Sequence, residues 1–176
     1  MPQVSSERRA LLREKYREEI ETFRDATLQM IMMEIGQQVF ALDIMKTREI
    51  ISTPAISELP FTEDYVLGIF QFRGKTVLAV DLGKKIGLEP ANVESETYTV
   101  IVESDGYQLG FVLEKMPATI RLLGSAVQEI NEILTDTTRH ETYIKGIAEQ
   151  NDTPIYLMDV EEFIADTRVK LDDINS

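Results

Sequence analysis

The chain has 176 residues, 43% of them hydrophobic and 28% charged, with a formal net charge of −13, which fits one globular domain or two small ones with a real core. The acidic balance argues against nucleic acid and against an anionic lipid surface, since both require a basic face. Without cysteine there is no disulfide framework and no cysteine zinc site; with no apolar run near the roughly 20 residues of a membrane-spanning helix, a cytoplasmic protein without membrane insertion is expected.

Residues 1–27 read as an N-terminal amphipathic helix. Leu12, Tyr16, Ile20, Phe23 and Thr27 follow the spacing of one helical face. Ser5 or Ser6 is placed to cap it. Lys15–Glu19 and Arg17–Glu21 form favourable i, i+4 pairs, while several like-charge pairs oppose the helix. Such a helix is marginal alone, so its apolar stripe needs a partner: its own domain or another protein.

From Leu28 the pattern changes to strands. Leu28–Ile35 is an apolar run without a helical stripe, Gly36-Gln37-Gln38 is a turn, and Val39–Leu42 completes a hairpin. Three methionines in the first strand point to core filling, or to a plastic binding surface. Asp43–Ile51 reads as a helical turn or an irregular edge ended by Thr53-Pro54. Ile56–Leu59 is extended and closed by Pro60.

The best-punctuated stretch is Tyr65–Leu88: strand, the two-residue turn Arg73-Gly74, strand, Asp81, short helix. Gly68 inside a strand marks a bulge or a close backbone approach. Gly74 supplies the positive φ of a tight hairpin, and Gly87 suits the end of a short helix. Residues 89–97 are a polar linker. Tyr98–Glu103 and Tyr107–Leu113 flank the hairpin turn Asp105-Gly106, and Pro117 restricts the next segment to an edge or bend. Gly124–Thr138 is a short helix or a loop with one turn. Tyr143–Ala148 and Pro154–Met158 flank Asn151-Asp152. Asp159 caps a C-terminal helix with Val160, Phe163, Ile164, Thr167 or Val169, and Leu171 inside.

An internal repeat runs through this pattern. Tyr65, Gly68, Ile69, Asp81 and Ile86 fall on Tyr143, Gly146, Ile147, Asp159 and Ile164, each 78 positions on. The repeat marks Gly68, Asp81, Gly146 and Asp159 as architectural, the aspartates as caps accepting backbone N–H bonds. Arg73-Gly74 does not recur, because Asn151-Asp152 stands opposite. About ten short strands in two clusters of five, with helices at the ends and after Asp81, make a mainly β chain of small barrels or sandwiches.

Catalysis finds no support in the residues. The single histidine, His140, lies in a polar loop, and no serine-nucleophile, zinc-protease or phosphate-cradling motif occurs. No metal and no cofactor is expected. Arg73 is either a solvated turn residue or an exposed guanidinium at a recognition surface, with Glu49 as its candidate carboxylate partner. A β-barrel binding a small ligand or an oligonucleotide is the alternative, disfavoured for nucleic acid by the charge and the absence of Trp.

Taken in order, these residues resemble the CheW family of chemotaxis coupling proteins over about residues 28–165. The resemblance rests on Gly36, Phe40–Ile44, Arg48-Glu49-Ile50, Pro60, Tyr65–Ile69, Arg73-Gly74, Val80-Asp81-Leu82, Gly110, Tyr143, Gly146-Ile147 and Leu157-Met158-Asp159. Gln71-Phe72 stands where the family has Asn-Leu, Gly83 where it has Arg, and Glu114 where it has Asp. The resemblance implies two SH3-like five-stranded β-barrels side by side, the first at about 28–90 and the second at about 97–158, with a C-terminal helix and tail at 159–176. It implies a non-catalytic adapter, acting in chemotaxis, twitching, gliding or phototaxis. Its partners would be the regulatory domain of a CheA-type histidine kinase and the cytoplasmic tip of a chemoreceptor, in membrane-associated arrays. Glu49, Val66, Phe72 and Arg73 match the receptor-side surface; Met45 and Ile50 are the kinase-facing candidates; the N-terminal helix has a possible further partner.

Overall fold

The computed structural model describes residues 6–129 and 143–175. His140, Ser5 and most of the segment read as Gly124–Thr138 lie outside the described residues, as do the side chains of Val169 and Leu171. The described chain runs α1 (Ser6–Thr22), β1 (Thr27–Ile35), β2 (Gln38–Asp43), a 3₁₀ turn (Ile44–Lys46), β3 (Thr47–Ser52), β4 (Val66–Phe72), β5 (Lys75–Val80), α2 (Leu82–Ile86), β6 (Tyr98–Ser104), β7 (Tyr107–Leu113), β8 (Ala118–Leu123), a 3₁₀ turn (Gly124–Ala126), β9 (Ile144–Gln150), β10 (Thr153–Met158) and α3 (Val160–Asn175). Thr27 opens β1 rather than continuing the helical stripe. Asp43–Ile51 resolves into a 3₁₀ turn followed by β3, the edge strand of its sheet, whose pairing with β6 shifts register between Thr47 and Glu49, so the expected helical turn and irregular edge both occur, with Glu49 and Ile50 on β3.

The strands form two five-stranded sheets, in the orders β8-β1-β2-β10-β9 and β3-β6-β7-β5-β4. The second is continuous in sequence and is called here the middle barrel; the first takes strands from both ends and is the split barrel. This corrects the expected barrels at 28–90 and 97–158. β1 and β2 do not join β3–β5. Instead β2 pairs in parallel with β10, and β5 pairs in parallel with β7. Each sheet is closed by a bridge from the segment beyond its first edge strand: Ser57 to Ile69 of β4, and Gln128 to Ile147 of β9.

Three apolar clusters explain the runs without alternation. The interior of the middle barrel holds Phe70, Val77, Ala79, Ile101 and Val112, with Ile51, Ile56, Leu67 and Phe72 against them. The interior of the split barrel holds Met30, Ala41, Leu122, Val127, Ala148, Ile155 and Leu157, with Ile20 of α1. Between the barrels lies the largest cluster, including Met33, Phe40, Leu42, Tyr65, Leu78, Val80, Val100, Val102, Phe111, Tyr143 and Phe163. On β6, Val100 and Val102 face the other barrel while Ile101 faces inward. A strand buried on both faces reads as a continuous apolar run.

The repeated residues do the same work in both barrels. Asp81 donates its N–H to Tyr65 O at 2.8 Å, and Asp159 donates its N–H to Tyr143 O at 2.7 Å. Each aspartate caps the helix after it: Asp81 Oδ1 accepts from Lys84 N, and Asp159 Oδ1 accepts from Glu162 N, both at 3.1 Å. The second oxygen differs in its donor. Asp81 Oδ2 accepts from Ala91 N of the linker at 2.9 Å, whereas Asp159 Oδ2 accepts from the Tyr16 hydroxyl at 2.8 Å.

That bond settles where the N-terminal helix goes. Tyr16 and Ile20 are buried, and Phe23 is half-buried against the split barrel. The charges of α1 pair with the body of the protein: Arg8 with Glu162, Lys15 with Asp159 at 3.8 Å, Arg17 with Glu129 at 3.2 Å, and Glu19 with Lys145 at 3.5 Å. The i, i+4 pairs expected from the sequence give way to these and to two i, i+3 pairs, Arg17–Glu14 and Arg24–Glu21. Burial and an Asp159 carboxylate beside it push the Tyr16 hydroxyl far above the ordinary tyrosine value; burial and Asp166 do the same to Tyr143.

Candidate functional site at the tip of the middle barrel

Among the described residues, three two-residue hairpin tips have positive φ at both positions: Arg73-Gly74 at 50° and 77°, Asp105-Gly106 at 51° and 77°, and Asn151-Asp152 at 51° and 62°. Such turns take Asn, Asp or Gly because a Cβ is disfavoured in the left-handed region. Arg73 alone of the three first positions is neither Asn nor Asp. Its backbone conformation is tolerated rather than preferred, so the side chain is the feature that distinguishes this turn.

The guanidinium reaches Glu49 on β3. Arg73 Nη2 lies 3.0 Å from Glu49 Oε2, and the guanidinium carbon lies 5.0 Å from the Phe72 ring centroid. Phe72 is half-buried against the middle-barrel interior, so the ring is fixed while its outer side carries the cation. The Arg73 side chain is 75% exposed and that of Glu49 is 34% exposed. An ion pair this exposed contributes little to stability, and its planar donor fork is of a kind that pairs with carboxylates.

Val66 starts the same strand and packs, half-buried, on the inter-barrel cluster. Between Val66 and Gly68 the pairing with β5 shifts register. Gly68 has φ 142°, and a Cβ there would meet Ser57 O at 2.2 Å. The bulge and the close approach expected at Gly68 are therefore one feature: the segment that closes the barrel crosses over this glycine.

The structure thus brings Glu49, Phe72 and Arg73 together and leaves Val66 at the other end of β4. The two remaining candidates differ in environment. Met45 is 84% exposed on the 3₁₀ turn and lines a groove of about 380 Å³ with Glu19, Phe23, Leu28, Met30 and Ile44. Ile50 is half-buried against the inter-barrel cluster. Two features escaped the sequence reading. Phe61 is 92% exposed. Lys85, whose side chain is 1% exposed, lies 3.4 Å from Asp166 and 4.4 Å from the Tyr65 ring centroid. The 78-residue repeat carries a signal for Lys85, since it falls on the core residue Phe163; for Phe61 no signal was available.

Comparison with known proteins decides the family. Residues 29–168 match the family model described as the CheW-like domain. The chain belongs to the CheW-like family. It is 29% identical over 140 residues to the chemotaxis protein CheW of Helicobacter pylori, covering 80% of this chain and 83% of that protein. It is 24% identical over 145 residues to the CheW of Treponema pallidum, with 80% and 84% covered. The crystal structure of the scaffolding protein TtCheW from Thermoanaerobacter tengcongensis aligns with a TM-score of 0.67 at 22% identity, covering 76% of this chain and 84% of that one. The fold is accordingly the paired SH3-like barrel of that scaffold, and the function of this CheW-like chain is that of a chemotaxis scaffold or adapter. Helix α1 precedes the matched residues. Among the described residues no helix is long and apolar enough to cross a membrane.

Proposed function

We propose that the chain is a non-catalytic, cytoplasmic adapter that couples the tip of a chemoreceptor to a CheA-type histidine kinase at the membrane-associated array. The observation that carries this reading is the Arg73–Glu49 pair seated over Phe72, at the one of the three described tips with positive φ at both positions whose first residue is neither Asn nor Asp. Glu49, Phe72 and Arg73 form the receptor-facing patch, with Val66 at its far edge. Met45 is the exposed kinase contact, and Ile50 supports that side from the inter-barrel cluster. Both barrel interiors are filled with buried side chains, which supports recognition by surfaces rather than an enclosed ligand. Weak contacts suffice for such work, because an array multiplies them through effective concentration.

The test is calorimetric titration of the full-length chain with a receptor-tip fragment and, separately, with the kinase regulatory domain, followed by one partner in the presence of the other. Both bind, and saturation with one leaves a free site for the other. Binding to neither, or mutual exclusion, contradicts the adapter reading.

A further inference from the structure

Phe61 is placed where neither conformation nor burial favours it. Its φ is 59°, and among the described residues it is the one non-glycine with positive φ that does not sit at a hairpin tip. A left-handed backbone disfavours a bulky side chain, and Asn, Asp or Gly takes it more readily. The ring is also 92% exposed, so it contributes almost nothing to the core. Both penalties fall on one residue, and strain of this kind clusters at binding surfaces.

The loop that presents it is firmly tied. Leu59 packs on the inter-barrel cluster. The Thr62 hydroxyl donates to Leu59 O at 3.5 Å, and Val66 N donates to Glu63 O at 3.0 Å. Tyr65 is buried, and its carbonyl accepts from Asp81 N. An aromatic ring held out on an ordered loop loses little freedom on binding, which is the property of an interface anchor.

Charge describes what it meets. Glu58, Glu63 and Asp64 stand within three residues of Phe61 and are exposed. They have no ion-pair partner among the described residues. No Lys or Arg occurs from Glu49 to Phe72. The complementary surface is an apolar socket rimmed by basic side chains.

We propose that Phe61 is the anchor of a second docking surface, and that it inserts into an apolar, basic-rimmed socket on the regulatory domain of the kinase. The assignment to the kinase rests on the adapter reading above and on charge: the receptor patch presents the Arg73 cation, whereas this loop, which adjoins Val66 at that patch's edge, is acidic. This loop contributes no residue to the Met45 groove.

The experiment uses the full-length chain and two probes, the kinase regulatory domain and the receptor-tip fragment. Phe61→Asn removes the ring while supplying a residue that accepts the left-handed backbone, so thermal stability holds or rises. Kinase-domain affinity falls about tenfold or more, receptor affinity is unchanged, and Glu63→Lys weakens the same titration in a salt-dependent way. Wild-type affinity of Phe61→Asn for the kinase domain overturns the proposal and leaves the adapter reading standing. Loss of receptor binding instead overturns the assignment to the kinase. A wild-type chain that binds neither probe overturns both the adapter reading and this one.

Discussion

The two barrels are built to one plan, and what separates them is more informative than what they share. The parallel pairs align them: Ala79 faces Gly110 in the middle barrel, and Leu157 faces Ala41 in the split barrel. From there Ile101 pairs with Gly110 and Glu49, while Met32 pairs with Ala41 and Ala118. The counterpart of Glu49 is therefore Ala118, and that of Arg73 is Asn151. An ion pair over an aromatic ring in one barrel becomes an alanine and an unremarkable turn in the other. Lys85 likewise becomes Phe163, and the linker N–H that completes the Asp81 cap becomes the hydroxyl of Tyr16. Shared positions close barrels and cap helices; unshared positions include the proposed recognition residues and the attachment of α1.

The largest stability difference is expected at the repeated glycines. Gly68→Ala places a Cβ 2.2 Å from a backbone oxygen at φ 142°, whereas at Gly146 the first obstacle is the Val127 side chain at 2.9 Å. Gly68→Ala should destabilise by about 3 kcal/mol or more, and Gly146→Ala by about 1–2 kcal/mol, measured by urea unfolding. Equal losses would mean that the two closing segments are held alike.

Next comes the helix that only the split barrel has. Ile20→Ala removes a buried side chain from the split-barrel interior and should cost about 2–4 kcal/mol. An effect below about 0.5 kcal/mol would show that α1 merely rests on the surface. The smaller effect is alkaline. At pH values below the ordinary tyrosine pKa of 10.0, Tyr16 is protonated in both states and its bond to Asp159 contributes fully. Above it the unfolded chain ionises while the folded one, its hydroxyl pKa raised, does not. Stability then falls with pH by about 1.4 kcal/mol per unit for each such tyrosine. Tyr16→Phe should lose one tyrosine's share of that slope above pH 10, as should Tyr143→Phe; an unaltered slope would place these hydroxyls in water.

Much of the plan was legible because turn chemistry is local. Arg73-Gly74, Asp105-Gly106 and Asn151-Asp152 announce hairpins through residues that adopt positive φ, and Asp81 and Asp159 announce helix starts. The partition into barrels was not legible. Two parallel pairings join strands far apart in sequence, and strands buried on both faces show no alternation that would reveal their neighbours. The α1 charges misled for a similar reason: Lys15 and Arg17 found carboxylates at the cap of α3 and beside β9, which helical spacing does not reveal. Phe61 carries no signal in the sequence, and its exposure is seen only in the fold. Glu49 was nameable as the candidate partner of Arg73, yet the contact itself depends on how β3 and the β4–β5 hairpin lie across the barrel.

The contrast between the two hairpin tips is tested most directly by one paired titration. Full-length Arg73→Glu and Asn151→Glu are each titrated with the receptor-tip fragment, with thermal unfolding run alongside. Arg73→Glu should keep the wild-type unfolding temperature, while Asn151→Glu should lower it slightly, because it replaces a residue that accepts positive φ at an exposed tip. Arg73→Glu should lose about tenfold or more in affinity, and Asn151→Glu should bind as the wild type does. Equal losses at both tips, or none at Arg73, would contradict the assignment of the receptor to the middle barrel.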